Sequence, residues 1–256
     1  MKSPAIKYQF YATLLDSFRT YTNSDSIWDK YWGFTEEPPC TPEEFRQMKH
    51  QELLDRINRV PYDSEAADRG TVLNDIVDCI LEHHNSKKCK ITKVYVDDKV
   101  VALTGEYNGR SYTFPMSLIR EIADYYEGAL PQQYVEGVLA TAYGGVKLYG
   151  YVDYVGAFSL HDLKTTSRYA VGNYRDGAQH LVYPYCLHQQ GVNIEAFEYN
   201  VVELNKQNTI FSTYTELYNF HPEQDAHTLT IWCEEFIEFL ERHKDFITDR
   251  KIFNVN

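Results

Sequence analysis

The sequence predicts a mixed α/β fold in a single domain. Three features carry that prediction: apolar residues at helical spacing in the first part, β-rich runs punctuated by Gly and Asn-Gly turns in the middle, and alternating helix and strand patterns at the end. The order lacks the regular βαβ alternation that builds a parallel sheet, so a mixed sheet is expected. With 256 residues, 43% of them hydrophobic and 24% charged, the chain can bury a sizeable core. No stretch reads as an interdomain linker or a repeat.

The elements follow in order. Ala5 to Tyr21 carries Phe10, Leu14, Leu15 and Phe18 at helical spacing and predicts a first helix. A loop with Pro38 and Pro39 follows, and Thr41-Pro42-Glu43-Glu44 reads as a capping box with Pro at the first helical position, opening a helix to about Asn58. Val72, Leu73, Ile76, Val77 and Ile80 repeat near a period of 3.6 and predict a helix from Ser64 to Glu82. Lys90–Val96 and Val100–Tyr107 are β-rich around Asp97-Asp98, and Asn108-Gly109 marks a hairpin into Arg110–Phe114. Ser117–Tyr126 is a short helix. A three-stranded meander follows: Tyr134–Tyr143, Val146–Val155 and Phe158–Thr165, turning at Gly144-Gly145 and Gly156. A helix is expected at Tyr174–Gln190, strands at Ile194–Glu203 and Thr209–Thr215, and an amphipathic helix near the end. Residues 1–65 thus read as a helical N-terminal elaboration, 66–215 as the core and 226–245 as a C-terminal helix.

The formal charge of −12 argues against an avid nonspecific DNA coat or a membrane-surface binder. It is unevenly spread: residues 141–210 hold 5 basic and 6 acidic residues and are nearly balanced. The first residues lack a signal-like apolar segment and no run approaches the roughly 18 apolar residues of a spanning helix, so a soluble, cytoplasmic protein with no membrane partner is expected. Cys40, Cys79, Cys89, Cys186 and Cys233 are odd in number and scattered, which disfavours a disulfide framework or a zinc ribbon.

The chemistry concentrates in Tyr149-Gly150-Tyr151-Val152-Asp153 and Leu160-His161-Asp162-Leu163-Lys164-Thr165-Thr166. Residues two apart on a strand share a face, so Asp162 and Lys164 point together and Leu163 points into the core. A reversal near Gly156-Ala157 brings Asp153 opposite residue 161 or 162. Two carboxylates and a lysine in core strands are costly without compensation. Mg²⁺ or Mn²⁺ held by Asp153, Asp162 and the Leu163 backbone carbonyl would supply it, with Lys164 placed to orient or deprotonate a water. The plainer reading is a structural Asp–Lys pair at a sheet edge. His161 points away from this face and reads as structural.

These residues resemble the PD-(D/E)XK nuclease signature, in its RecB-like branch of phage-type recombination exonucleases and CRISPR-associated adaptation nucleases. Gly150-Tyr151-Val152-Asp153 is similar to the branch's first strand motif, Asp162-Leu163-Lys164-Thr165 to its second, and Gln179-His180-Leu181-Val182-Tyr183 to its helical Q-x-x-x-Y motif. The resemblance covers about Gly70 to Tyr185. It departs at Arg69-Gly70-Thr71-Val72-Leu73-Asn74, where Asn74 stands at the branch's His or Glu. Asn74 can ligate a hard cation through its amide oxygen or simply be a polar residue packed under the sheet, and Asp75 or Asp78 could contribute instead.

The resemblance implies a restriction-endonuclease-like core and a Mg²⁺- or Mn²⁺-dependent deoxyribonuclease, an exonuclease of DNA recombination, repair or phage replication. Lys164, Gln179 and Tyr183 would be catalytic, with Gln179 and Tyr183 facing the phosphate. Its alternative is a nuclease-fold DNA-binding subunit with little or no activity. DNA is the implied substrate, and a single-strand annealing or recombination protein a possible partner. Some members carry an iron–sulfur cluster on one early and three late cysteines; only Cys186 and Cys233 lie late here, so no cluster is expected. Arg168, Arg175 and Lys147 flank the motifs and are candidate phosphate contacts. Glu136 is either an outer carboxylate or a solvated strand residue. Tyr8, Tyr11, Tyr21, Trp28, Tyr31 and Trp32 either line a single-strand channel or pack in a core or interface.

Overall fold

A computed structural model describes residues 4–254. Its centre is a mixed six-stranded sheet: β1 (Ile6–Tyr11), β6 (Gly144–Val155), β7 (Ser159–Thr166), β8 (Ala196–Leu204) and β9 (Phe211–Asn219) in that order, with β5 (Leu130–Thr141) on the other edge of β6. The expected meander β5–β6–β7 is antiparallel throughout, while β1 runs parallel to β6 and β7 parallel to β8. A smaller antiparallel sheet holds β2 (Lys90–Val96), β3 (Lys99–Tyr107) and β4 (Arg110–Pro115). Its two tight turns place Asp97, Asp98, Asn108 and Gly109 at positive φ, as two-residue hairpin loops require.

The helices cover both faces of the main sheet, giving the mixed α/β class read from the sequence. On one face lie α1 (Ala12–Thr22), α6 (Gln179–Gln189) and α7 (Pro222–Arg242), packed on Leu148, Val152, Leu160 and Phe197. On the other lie α4 (Glu65–Leu81), α5 (Met116–Tyr125) and the small sheet, packed on Tyr154, Leu163, Val202 and Leu204. The helix α3 (Pro42–Ile57) has the full Thr41–Glu44 capping box and joins the first core through Leu53 and Ile57. Among the described residues, no helix is long and apolar enough to cross a membrane.

The largest departure from expectation is at the start. The single helix expected over Ala5–Tyr21 is β1 followed by α1. Tyr8 and Phe10 are buried in alternation, and pairing with Gly145–Tyr149 of β6 overrides a helical pattern that begins only at Ala12. The N-terminal stretch is therefore helical except for a strand of the main sheet. A helix α2 (Ser24–Trp32) was not anticipated. The helix expected from Tyr174 starts at Gln179, because residues 167–178 form a turn-rich loop in which Tyr174 stacks on Tyr199 at 4.7 Å. The last helix starts at Pro222, with Pro in its first turn.

Candidate active site

The site forms where β7 leaves β6. One edge of β6 pairs with β5 along its length; the other pairs with β1 as far as Tyr149 and with β7 only at Tyr154 and Val155. On that second edge, between these contacts, residues 150–153 have no strand neighbour. Asp153 stands at the mouth of this gap, and its Oδ2 accepts the Leu163 N–H at 3.0 Å. The N–H and C=O of one strand residue point to the same edge, so the Leu163 carbonyl opens on the same gap. The sequence placed Asp153 opposite residue 161 or 162; the Tyr154–His161 pair makes it Asp162.

Asp162, Lys164 and Gln179 close a three-membered ring. Gln179 Nε2 donates to Asp162 Oδ1 at 2.7 Å, Lys164 Nζ donates to Gln179 Oε1 at 2.7 Å, and Lys164 Nζ lies 2.6 Å from Asp162 Oδ2. Asp162 and Gln179 are buried, and the Lys164 ammonium sits 5.8 Å above the Tyr199 ring. Tyr183, one turn beyond Gln179, is buried directly over Gly150. A Cβ there would lie 2.6 Å from Tyr183 Cε1, so only glycine lets α6 come this close to β6.

Electrostatics at the site are strongly perturbed. Burial lifts the Asp153 carboxyl well above the usual carboxylate range and the Asp162 carboxylate adds to the rise, while Lys164 and the Leu163 N–H oppose it. Burial alone would lower the Lys164 ammonium, but Asp162 and Asp153 outweigh it and hold its pKa above the ordinary value. Lys164 is thus a fixed cation. Burial pushes the Tyr183 phenol upward, so its hydroxyl keeps its proton.

Asn74 of α4 reaches the same place. Its Nδ2 donates to Asp153 Oδ2 at 3.3 Å, and its Oδ1 is buried with no hydrogen-bond partner. Asp162 Oδ2 likewise lacks a partner in hydrogen-bonding geometry. Two carboxylates, an unsatisfied amide oxygen and a backbone carbonyl form an all-oxygen donor set of the kind that suits Mg²⁺ or Mn²⁺. Among the described residues no three His, Cys, Asp or Glu side chains converge, so the protein would fill only part of a cation's shell. Mg²⁺ commonly keeps several waters in such sites. Asp75 is turned away and accepts from Ser86. Asp78, one turn from Asn74, is buried beside the Tyr154 hydroxyl, and burial raises its carboxyl to about 6.

The remaining candidates lie apart. Lys147 pairs with Glu136 at 2.5 Å, six residues along β6 from Asp153, or roughly 20 Å at the usual strand rise. It is not brought to the site, and Glu136 is a solvated strand partner. Arg168 and Arg175 are exposed in the loop between β7 and α6. His161 faces the opposite side, against Ser159, Asn200 and Glu198. Of the N-terminal aromatics, Tyr8 is buried and Trp28 donates to the Cys40 carbonyl, so these two serve packing.

One residue was missed by sequence reading. Asp16 of α1 accepts the Ala178 N–H at the start of α6, fixing the helix that carries Gln179 and Tyr183. Burial raises its carboxyl to about 6 despite that hydrogen bond and the nearby Lys164. Only its place between the apolar Leu15 and Phe18 hinted at it.

No family model matches the chain. No curated protein matches it either. Among solved structures the chain is similar to one described as the crystal structure of SSO0001, at 8% identity and a TM-score of 0.41, over 91% of this chain and 77% of that one.

Proposed function

We propose that this protein is a metal-dependent DNA nuclease of the PD-(D/E)XK type, an exonuclease that hydrolyses phosphodiester bonds. The observation that supports this most is the joining of Asp153, Asp162, Lys164 and Gln179 around one gap in the sheet, in the order the nuclease motifs require. Asp153, Asp162, the Leu163 carbonyl and Asn74 Oδ1 would hold Mg²⁺ or Mn²⁺, which when bound supplies Lewis-acid activation of the phosphate and of a water. Lys164, held as a cation, donates to the attacking water or to the phosphoryl oxygens and offsets the negative charge that grows in the transition state. Its protonated state favours orientation over proton abstraction. Gln179 fixes Lys164 and Asp162 relative to each other, and the Tyr183 hydroxyl donates to the phosphate from the α6 side.

A second reading is a DNA-binding subunit of the same fold with little or no activity. Asn74, in place of a charged or imidazole ligand, favours it. The two separate on end-labelled linear and closed circular DNA incubated with Mg²⁺ or Mn²⁺. The nuclease reading expects loss of the linear form, survival of the circle, and no reaction in EDTA. Intact linear DNA in both metals would leave the binding subunit.

A further inference from the structure

A groove of about 900 Å³ runs between α1, the last turns of α3 and the chain leading into α4. Three features connect it to the candidate site. Asp16 lines it and also caps α6 at Ala178, so the groove ends where Gln179 begins. The charges of Lys164, Asp162 and Arg56 all act on the Asp16 carboxyl, which puts Arg56 in the electrostatic neighbourhood of the site. Ala67 of α4 lines the groove, and one turn on, a Cβ added at Gly70 would lie 3.2 Å from Thr165 Oγ1, next to Lys164.

The lining differs from the rest of the surface. Lys49, Arg56 and Arg59 match Asp16, Glu52 and Asp55 in number, whereas the chain carries −12. Lys49 is committed to Glu52 at 2.7 Å, and Arg59 to Asp249 at 2.5 Å. Arg56 is exposed and joins no ion pair among the described residues, which leaves one cation free for a ligand anion. On the rim Tyr62 is 77% exposed, an aromatic face with nothing packed on it, and Tyr11 lines the inner wall. A free guanidinium and an open aromatic ring lining one groove are the groups that bind a phosphate and stack a base. A space of this size is at the upper end of small-ligand pockets, and stacking on Tyr62 calls for an unpaired base, as in a single strand.

We propose that this groove is the path by which single-stranded DNA enters the candidate site, with Arg56 as a phosphate contact and Tyr62 as a base-stacking platform. The proposal rests on the nuclease reading for its direction of travel, but it can fail separately. The test is the anisotropy of labelled oligo-dT, titrated over a range of salt, with the Lys164→Ala protein as parent so that no strand is cut. Adding Arg56→Ala should weaken binding about tenfold and lower the slope of log K against log salt by about 0.7, one phosphate's share on a single strand. Adding Tyr62→Ala should weaken binding about fivefold or more at every salt, with the slope unchanged. Both side chains are exposed, and unchanged melting of each variant checks that the fold is intact. Affinity and slope within twofold of the parent for both variants would overturn the groove, whatever the wild type cleaves. Loss of oligo-dT binding in both variants, together with a wild type that cleaves nothing in Mg²⁺ or Mn²⁺, would leave the groove standing and remove the nuclease reading.

Discussion

Gly150→Ala is the sharpest perturbation that the site's architecture offers. The added methyl would lie 2.6 Å from Tyr183 Cε1 and 2.9 Å from its hydroxyl oxygen, against a comfortable carbon contact of about 3.5–4.0 Å. The Tyr183 ring must therefore retreat by about an ångström. It is only 4% exposed and packs within the core around Phe197, so it has little room. Overpacking of this kind costs about 1–3 kcal/mol, a fall in Tm of roughly 2–10 °C for a chain of this size. Urea or thermal unfolding of four proteins measures it: wild type, Gly150→Ala, Tyr183→Ala and the double variant. Tyr183→Ala alone should cost about 3–5 kcal/mol by leaving a cavity. In the double variant the clash is gone, so the two losses should fall short of additivity by about 1 kcal/mol or more. Simple addition, or a Gly150→Ala protein within 0.5 kcal/mol of wild type, would refute the placing of α6 against β6.

Three further outcomes are expected. Mg²⁺ or Mn²⁺ should raise the melting temperature of the wild type by mass action, and Asp153→Ala or Asp162→Ala should lose that rise; a rise that survives in both puts the cation elsewhere. Asp78→Asn should stabilise the metal-free protein at pH 8 and leave it unchanged near pH 3.5, because a carboxyl raised from 3.8 to about 6 favours the fold below its unfolded value and loses that benefit as pH rises through the folded one. Urea midpoints at the two pH values check it. Thr41→Ala should lower stability by about 1 kcal/mol, since it removes the hydroxyl that accepts the Glu44 N–H while the residue-41 N–H can still donate to the Glu44 carboxylate, and denaturant unfolding reads the change.

Much of the site was legible because its residues are close in sequence and ordered by strand geometry. The period-2 rule put Asp162 with Lys164 and sent Leu163 to the core, as found, and the reversal near Gly156 put Asp153 opposite residue 161 or 162, which the strand pairing resolves to Asp162. One helical turn separates Gln179 from Tyr183, and both face the sheet. What escaped depends on distant pairing. Ile6–Tyr11 has a pattern compatible with helix, and only the edge of β6, more than 130 residues later, makes it a strand. Asp16 gained its role from Ala178, 162 residues away. Lys147 looked close to the motifs along the chain, but an extended strand carries it away from Asp153.

Hydrolysis of DNA by Asp153, Asp162 and Lys164 with a divalent cation is read from the rate at which wild type and Lys164→Ala, purified in parallel, release label from linear DNA in Mg²⁺. The wild type should release label in a reaction that EDTA stops, and Lys164→Ala should release at least about a hundredfold less at an unchanged circular dichroism spectrum. Equal rates from the two proteins would contradict it.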